Sequence, residues 1–277
     1  MPSKSKKSGK KKRPTMAERA ELHSLYEDAV QCVEAEIDFV DETYKKLRRR
    51  KAQWLREDFC GTASAACEWV RRRRTNQAIG VDLDAGVQQW GRDHRVAELK
   101  TKEQERIELI HADVMDVECH KVDIVLAMNF SYWFFKTRER LRTYFSHVRE
   151  GLNDDGLFML DAYGGPDAHR ELEEKTKMTR FTYIWDQHSY NPITADLICY
   201  IHFAFPDGSR IRKAFTYDWR LWTLPEIREI LLEAGFRNAA VYWEGTNEKT
   251  NEGNGEYTAT DQGEADDAFV VYIVAEK

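Results

Sequence analysis

Leu22, Tyr26, Ala29, Val33, Ile37, Val40, Tyr44 and Leu47 follow one another at steps of three or four residues, the spacing that lays one apolar stripe along a helix. The stripe predicts one amphipathic helix, or two in tandem, covering something with its apolar face. It runs out in Lys45, Lys46, Arg48, Arg49, Arg50 and Lys51, cations that suit the negative end of a helix dipole. From residue 55 the texture changes. Short apolar runs at 55–59, 78–83, 107–114, 122–130 and 157–163 alternate with amphipathic stretches at 64–72, 86–99 and 138–152. Strand–helix alternation of this kind implies parallel crossovers, hence an α/β, doubly wound sheet covered on both faces. Such sheets bind ligands beyond the carboxyl ends of their strands.

Between about 179 and 223 the pattern becomes antiparallel: a run at 196–205, the turn Pro206-Asp207-Gly208-Ser209, and a second run at 210–220 read as a hairpin. A helix at 224–234 stopped by Gly235, a strand at 239–243 and a last strand at 269–275 complete the chain. The stretch 245–267, rich in Asn, Gly, Thr, Glu and Asp, reads as a mobile acidic loop with no part in the chemistry.

Composition narrows this further. A chain of 277 residues, 42% apolar, with 8 Trp, 12 Tyr and 13 Phe, can bury a substantial core, and no repeat period marks it as a solenoid. Its longest apolar runs fall short of the roughly 18–20 residues of a membrane helix, so no membrane contact is expected. Seven of the first thirteen residues are Lys or Arg, while the whole chain carries a net charge of −6, so a basic tail over 1–15 precedes a more acidic body. The tail reads as disordered and solvated; contact with nucleic acid or protein through it is the lesser alternative. Cys32, Cys60, Cys67, Cys119 and Cys199 form no CxxC pair and are odd in number. They read as free thiols in a reducing, cytoplasmic setting, without a metal site.

The chemistry gathers at the predicted strand ends: Arg56-Glu57-Asp58-Phe59-Cys60-Gly61-Thr62-Ala63, then Gly80-Val81-Asp82-Leu83-Asp84, His111-Ala112-Asp113-Val114 and Met128-Asn129-Phe130. A strand turning sharply through Cys60, Gly61 and Thr62 into a helix brings bare backbone amides to the rim, and Gly61 permits that approach. Asp82, one strand later, stands where a carboxylate takes two ribose hydroxyls, and Asp113 where one accepts from an exocyclic adenine amine. With Leu83 and Val114 beside them, they outline an adenosine. Asp84 reads as the cap of the following helix. Glu57 and Asp58 are open between a cofactor role and neutralising Arg56.

This constellation resembles a class I S-adenosylmethionine-dependent methyltransferase, across nearly all of residues 16–277. The family's first motif is an acid followed by a glycine-rich turn. Aligned on Cys60-Gly61-Thr62, Glu57 matches the acid, Phe59 replaces the first glycine and Ala63 the last. The resemblance implies a Rossmann-like, mostly parallel seven-stranded sheet, a helical N-terminal cover over 16–54, a substrate-side insert over 179–223 and S-adenosyl-L-methionine as cofactor. It implies cofactor contacts from Glu57, Asp58, Cys60, Gly61, Thr62, Asp82, Leu83, Asp113, Val114 and Asn129. Asn129 and Tyr132 stand where the family places catalytic groups, similar in position to the Asn-Pro-Pro-Tyr of enzymes that methylate planar nitrogen. Tyr132, Trp185, His188 and His202 are the expected acceptor contacts, and Trp185, Tyr190, Tyr200 and Tyr217 could enclose a cationic amine or simply fill a packed hairpin.

The implied function is methyl transfer to a small-molecule N or O acceptor by in-line displacement, where alignment and desolvation supply most of the rate. Three alternatives compete with it. A dinucleotide oxidoreductase would need several glycines at the phosphates, where only Gly61 is present. A protein or RNA methyltransferase would use the tail as a tether, and a catalytically silent nucleoside-binding module would keep the pocket without turnover.

Overall fold

The computed structural model describes residues 13–247, 249–250 and 252–277; all but the last three residues of the expected basic tail lie outside them. The N-terminal stripe forms tandem helices after a short first turn: α1 (Met16–Arg19), α2 (Leu22–Val30) and α3 (Val33–Arg48). The alternating region follows as β1 (Trp54–Asp58), α4 (Ser64–Arg72), β2 (Gln77–Asp82), α5 (Ala85–His94), α6 (Thr101–Gln104), β3 (Ile107–His111), β4 (Val122–Ala127), α7 (Arg138–Gly151) and β5 (Leu152–Gly164). Then come β6 (Leu172–Lys177), β7 (Thr182–Tyr190), β8 (Asp196–Ala204) and β9 (Arg210–Arg220), followed by α8 (Leu224–Glu233), β10 (Asn238–Asn247), β11 (Glu252–Thr260) and β12 (Phe269–Glu276).

The main sheet has the order β11-β10-β12-β5-β4-β1-β2-β3. From β3 to β5 its neighbours run parallel, and β12, β10 and β11 close it antiparallel. The order reverses between β1 and β4, which places the switch point, and any ligand it holds, beyond the ends of β1, β2 and β4.

Two expectations are corrected here. The sheet has eight strands rather than seven, because residues 252–260 of the supposed mobile loop form β11, paired along β10. Glycine and asparagine hide it in sequence, yet its Tyr257 packs on Phe39 and Tyr272 with ring centroids 5.8 and 4.6 Å apart. The insert is a four-stranded antiparallel sheet, β6-β7-β8-β9, and it begins at Leu172, not 179. Its first strand is an exposed edge of Leu-Glu-Glu-Lys-Thr-Lys with no apolar alternation to betray it.

One face of the main sheet is covered by α3 and α4, whose Ile37, Val40, Tyr44 and Trp69 meet Leu55, Ile124 and Met159. The other is covered by α7 and α8 through Tyr144, Phe145, Ile227 and Ile230. A third cluster joins α2 to the insert, with Leu25 buried among Phe181, Ile201, Phe203 and Phe205. The start of α1 is tied to the hairpin turn as well: Met16 N donates to Asp207 at 2.7 Å and Ala17 N to Ser209 Oγ at 3.1 Å. Among the described residues no helix is long and apolar enough to cross a membrane.

Candidate active site at the parallel strand ends

The turn after β1 keeps a glycine-like path without the glycines. Phe59, Gly61 and Ala63 have φ of 57°, 51° and 62°, so both non-glycine replacements sit in the left-handed region that ordinarily costs an L-residue roughly 1–2 kcal/mol. Buried Ala63 and the rings of Phe135 and Tyr144 against Phe59 hold them there. Cys60 N donates to Val81 O at 2.9 Å and Gly61 N to Asp82 Oδ2 at 2.7 Å. The Cys60 amide is thus spent on the protein itself, with its thiol buried beside Gly80. Helix α5 approaches closely through Gly91, where a Cβ would lie 2.5 Å from Thr62 O.

Glu57 and Asp58 part company because successive strand side chains point to opposite faces. Glu57 faces α4 and accepts from Ala66 N at 2.8 Å, satisfying an orphan donor of that helix's first turn. Burial, reinforced by Glu36 and Asp82, pushes its carboxyl up to about 8. Burial raises Glu36 on α3 and Asp161 on β5 to about 7 each, with Glu36 adding to the rise at Asp161. Glu36 thus bears on both Glu57 and Asp161. Asp58 points the other way, fully buried, 2.8 Å from Arg56 Nε and accepting from Tyr144 Oη at 2.9 Å. The expected cofactor role for Asp58 is therefore corrected: it is the partner of a buried guanidinium. Glu57, Cys60, Gly61 and Thr62, like it, line neither cavity.

A cleft of about 420 Å³ lies over the ends of β2 and β3, floored by Asp82, Leu83, Asp113 and Val114 and closed by residues 216–219 of β9. Asp82 uses one lone pair of each oxygen on the backbone, accepting Gly61 N and, at 2.8 Å, Asp84 N; a carboxylate oxygen retains a second. Asp113 Oδ1 accepts from Met115 N at 2.9 Å. Leu83 and Phe134 remain 66% and 65% exposed on this cleft, large apolar surfaces placed where a purine ring would be sandwiched. The residues fit an adenosine.

A second cavity of about 670 Å³ lies between β5, the insert and the 243–270 segment. Tyr217 and Trp219 of β9 line both spaces, while Asn129 and Phe130 face the larger and Ser131 the smaller. The two adjoin at the end of β4. Asn129 N and Phe130 N donate to Asp161 Oδ2 and Oδ1 at 2.8 and 2.9 Å, fixing a second left-handed pair with φ of 57° and 56°.

Of the expected acceptor contacts, Trp185 lines the larger cavity. Three others do not. Tyr132 is fully buried and donates to Asp161 O at 2.7 Å, so it pins the loop instead of meeting an acceptor. His202 and His188 lie on the outer face of the insert, because in β8 it is Leu197, Cys199, Ile201 and Phe203 that turn inward. There His202 Nδ1 accepts from Lys213 N at 2.7 Å while Nε2 lies 3.1 Å from Asp186, and His188 sits over Tyr200. Tyr200 lies beneath the Lys213 ammonium and Tyr190 against His169; of the proposed enclosure, Trp185 and Tyr217 reach the cavity.

Sequence reasoning passed over Glu27 entirely. From α2 its carboxylate accepts from Thr62 Oγ1 at 2.6 Å and Ser64 Oγ at 2.8 Å and pairs with Arg95. Burial opposes its ionisation, but those hydrogen bonds outweigh it and hold Glu27 below the usual carboxylate range. It also passed over the 264–267 acids, whose segment lines the larger cavity. No local signal marks Glu27, since its partners are distant in sequence; the 264–267 stretch is legible as acidic, but not its place on the cavity wall.

No family model and no curated protein matches the chain in sequence. Solved structures do match in fold. An S-adenosylmethionine-dependent methyltransferase from Clostridium acetobutylicum superposes with a TM-score of 0.66 at 15% identity, over 92% of this chain and 96% of that one. CalS10, an amino pentose methyltransferase from Micromonospora echinaspora, gives 0.64 at 14% identity over 92% and 95%. DesVI from Streptomyces venezuelae gives 0.64 at 17% identity over 91% and 95%. The chain has the Rossmann-like fold of these enzymes.

Proposed function

We propose that this chain is an S-adenosylmethionine-dependent methyltransferase acting on a small-molecule N or O acceptor. The carrying observation is the pair of adjoining cavities. One fits an adenosine at the switch point, with Asp82 and Asp113 on its floor, and the other is roomy and meets it at Asn129–Ser131 and at Tyr217–Trp219. The fold shared with solved methyltransferases supports the same reading.

When bound, S-adenosylmethionine supplies a methyl carbon made electrophilic by its sulfonium. Asp82 would take the ribose hydroxyls, Asp113 the adenine amine, and Leu83 and Phe134 the ring faces, with Val114 beneath. Glu57, beside the turn after β1 and accepting from Ala66 N, is the acid at hand for the amino acid end of the cofactor. The left-handed Asn129–Phe130 pair, held by Asp161, positions the end of β4 between the two spaces. Trp219 and Tyr217 exclude water there, so that alignment and desolvation supply the rate. The roomy space beside the nucleoside cleft suits a small-molecule acceptor, and the turn after β1 keeps its left-handed path with Phe59 and Ala63 in place of glycines.

Calorimetry with S-adenosylhomocysteine tests the reading. Binding weakened about tenfold by Asp113→Ala, the cost of one charge-assisted hydrogen bond, is the expected result. Absence of binding overturns it.

A further inference from the structure

The larger cavity has a distinctive charge. Six carboxylates line it, Asp167, Glu174, Glu244, Glu264, Asp266 and Asp267, and no Lys, Arg or His joins them. Asp167 is paired with Arg170 at 2.5 Å and Glu244 accepts Gly255 N at 2.8 Å. The other four side chains make no hydrogen bond or ion pair among the described residues. Such a set is unusual in a chain with 42 Lys and Arg, because opposite charges ordinarily gather where acids crowd.

These four side chains are solvent-exposed at the open side of the cavity, and the backbone fixes where the 266–267 pair stands. Gly165, at φ 97°, lets the 266–267 carbonyls come so near that a Cβ would lie 2.5 Å from Asp267 O, and Asp167 N donates to that same oxygen at 2.9 Å. Glu174 enters from the opposite side, on β6, directly across the strand from Trp185. Nine aromatic side chains, among small and aliphatic residues, line the rest of the cavity. Tyr217 and Trp219 stack at 4.3 Å, with Trp185 5.9 and 6.2 Å from them and Phe130 6.2 Å from Trp219. Trp243 and Phe269 add a second pair at 4.7 Å.

Aromatic faces and unpaired carboxylates attract the same thing, an organic cation, and both repel an anion. We propose that the methyl acceptor is a cationic amine on a compact scaffold, held by this aromatic wall and by Glu174 and the 264–267 acids. The proposal rests on the methyltransferase reading and makes nitrogen the acceptor atom. The ammonium releases a proton to water; its lone pair then forms the N–C bond as the C–S bond breaks and that electron pair stays on sulfur. The carboxylates hold the methylated ammonium that results, balancing the charge gained at nitrogen.

The test uses the full chain and a pair of probes alike in shape but not in charge, (3-hydroxyphenyl)trimethylammonium and 3-tert-butylphenol, followed by quenching of tryptophan fluorescence. The cation should bind at least about tenfold more tightly, about 1.4 kcal/mol. Glu174→Gln with Asp266→Asn should erase most of that preference and leave the neutral probe unchanged. Equal binding of the two probes, binding of neither, or a preference that survives the double variant overturns the proposal. S-adenosylhomocysteine affinity, measured alongside, reports the methyltransferase reading separately. Cation preference without nucleoside binding would remove that reading and leave the cation site standing. Transfer of labelled methyl to primary amines over their matched alcohols is the second measurement; label on the alcohols at an equal rate counts against the assignment.

Discussion

Asp82 accepts the Gly61 N–H at 2.7 Å, so the acid on the floor of the smaller cleft also fastens the turn beside it. The two functions can be separated by charge. Asp82→Ala should lower S-adenosylhomocysteine affinity by more than tenfold and cost about 1–3 kcal/mol of stability, the penalty of an unsatisfied partner. Asp82→Asn, which can still accept the amide, should recover most of the stability and less of the affinity. Calorimetry and chemical denaturation of the two variants together check this.

Gly91 carries more weight than Gly61. A methyl group on Gly61 would meet only Val87 Cγ1 at 3.6 Å, whereas one on Gly91 would strike the Thr62 carbonyl group at 2.5 and 2.8 Å. Gly61→Ala should therefore cost about 1 kcal/mol, the left-handed penalty alone, and Gly91→Ala about 1–3 kcal/mol with loss of cofactor affinity as the turn is displaced. Thermal unfolding with and without S-adenosylhomocysteine distinguishes them.

Glu57, raised from 4.5 to about 8 by burial, makes stability depend on pH in a direction opposite to an ion-paired carboxylate. Between those values the native state retains a proton that the unfolded chain has lost, so stability should fall as pH rises toward 8 and level off above it. Glu36 and Asp161, at about 7, act in the same sense and level off sooner. Denaturation midpoints from pH 5.5 to 8.5 should decline, and Glu57→Gln, which can still accept from Ala66 N, should make the decline shallower. An unchanged slope in that variant would contradict the assignment.

Tyr132 and Asn129 were expected to act together at the acceptor, yet they face different surroundings. Tyr132→Phe removes one buried hydrogen bond to Asp161 O and should cost about 1 kcal/mol while changing kcat less than twofold. Asn129→Ala, on the cavity wall, should lower kcat/KM by about tenfold or more and cost up to about 1 kcal/mol of stability, because alanine tolerates φ of 57° less well than asparagine. Steady-state kinetics on an amine acceptor, beside melting curves, checks both.

Most of the main sheet was legible because its strands are apolar runs ended by polar residues, and the end of each run names its rim residue: Asp82, Asp113, Asn129. The elements that escaped are those whose stability comes from partners. β6 is polar on both faces, and β11 is held by pairing with β10 and by one tyrosine. The outward placement of His202 was written in the alternation of Leu197, Cys199, Ile201 and Phe203, a period-2 pattern that separates cavity face from outer face. Glu27 was not readable at all. A charged residue on the polar side of an amphipathic helix looks like any other until Thr62, Ser64 and Arg95 are brought to it from elsewhere.

Tyr26 and Glu27 are neighbours on α2, yet Tyr26 lines the larger cavity while Glu27 holds Thr62 and Ser64 of the turn after β1. One turn of helix therefore braces two separate walls, so a substitution that unseats α2 at either residue disturbs the surroundings of both.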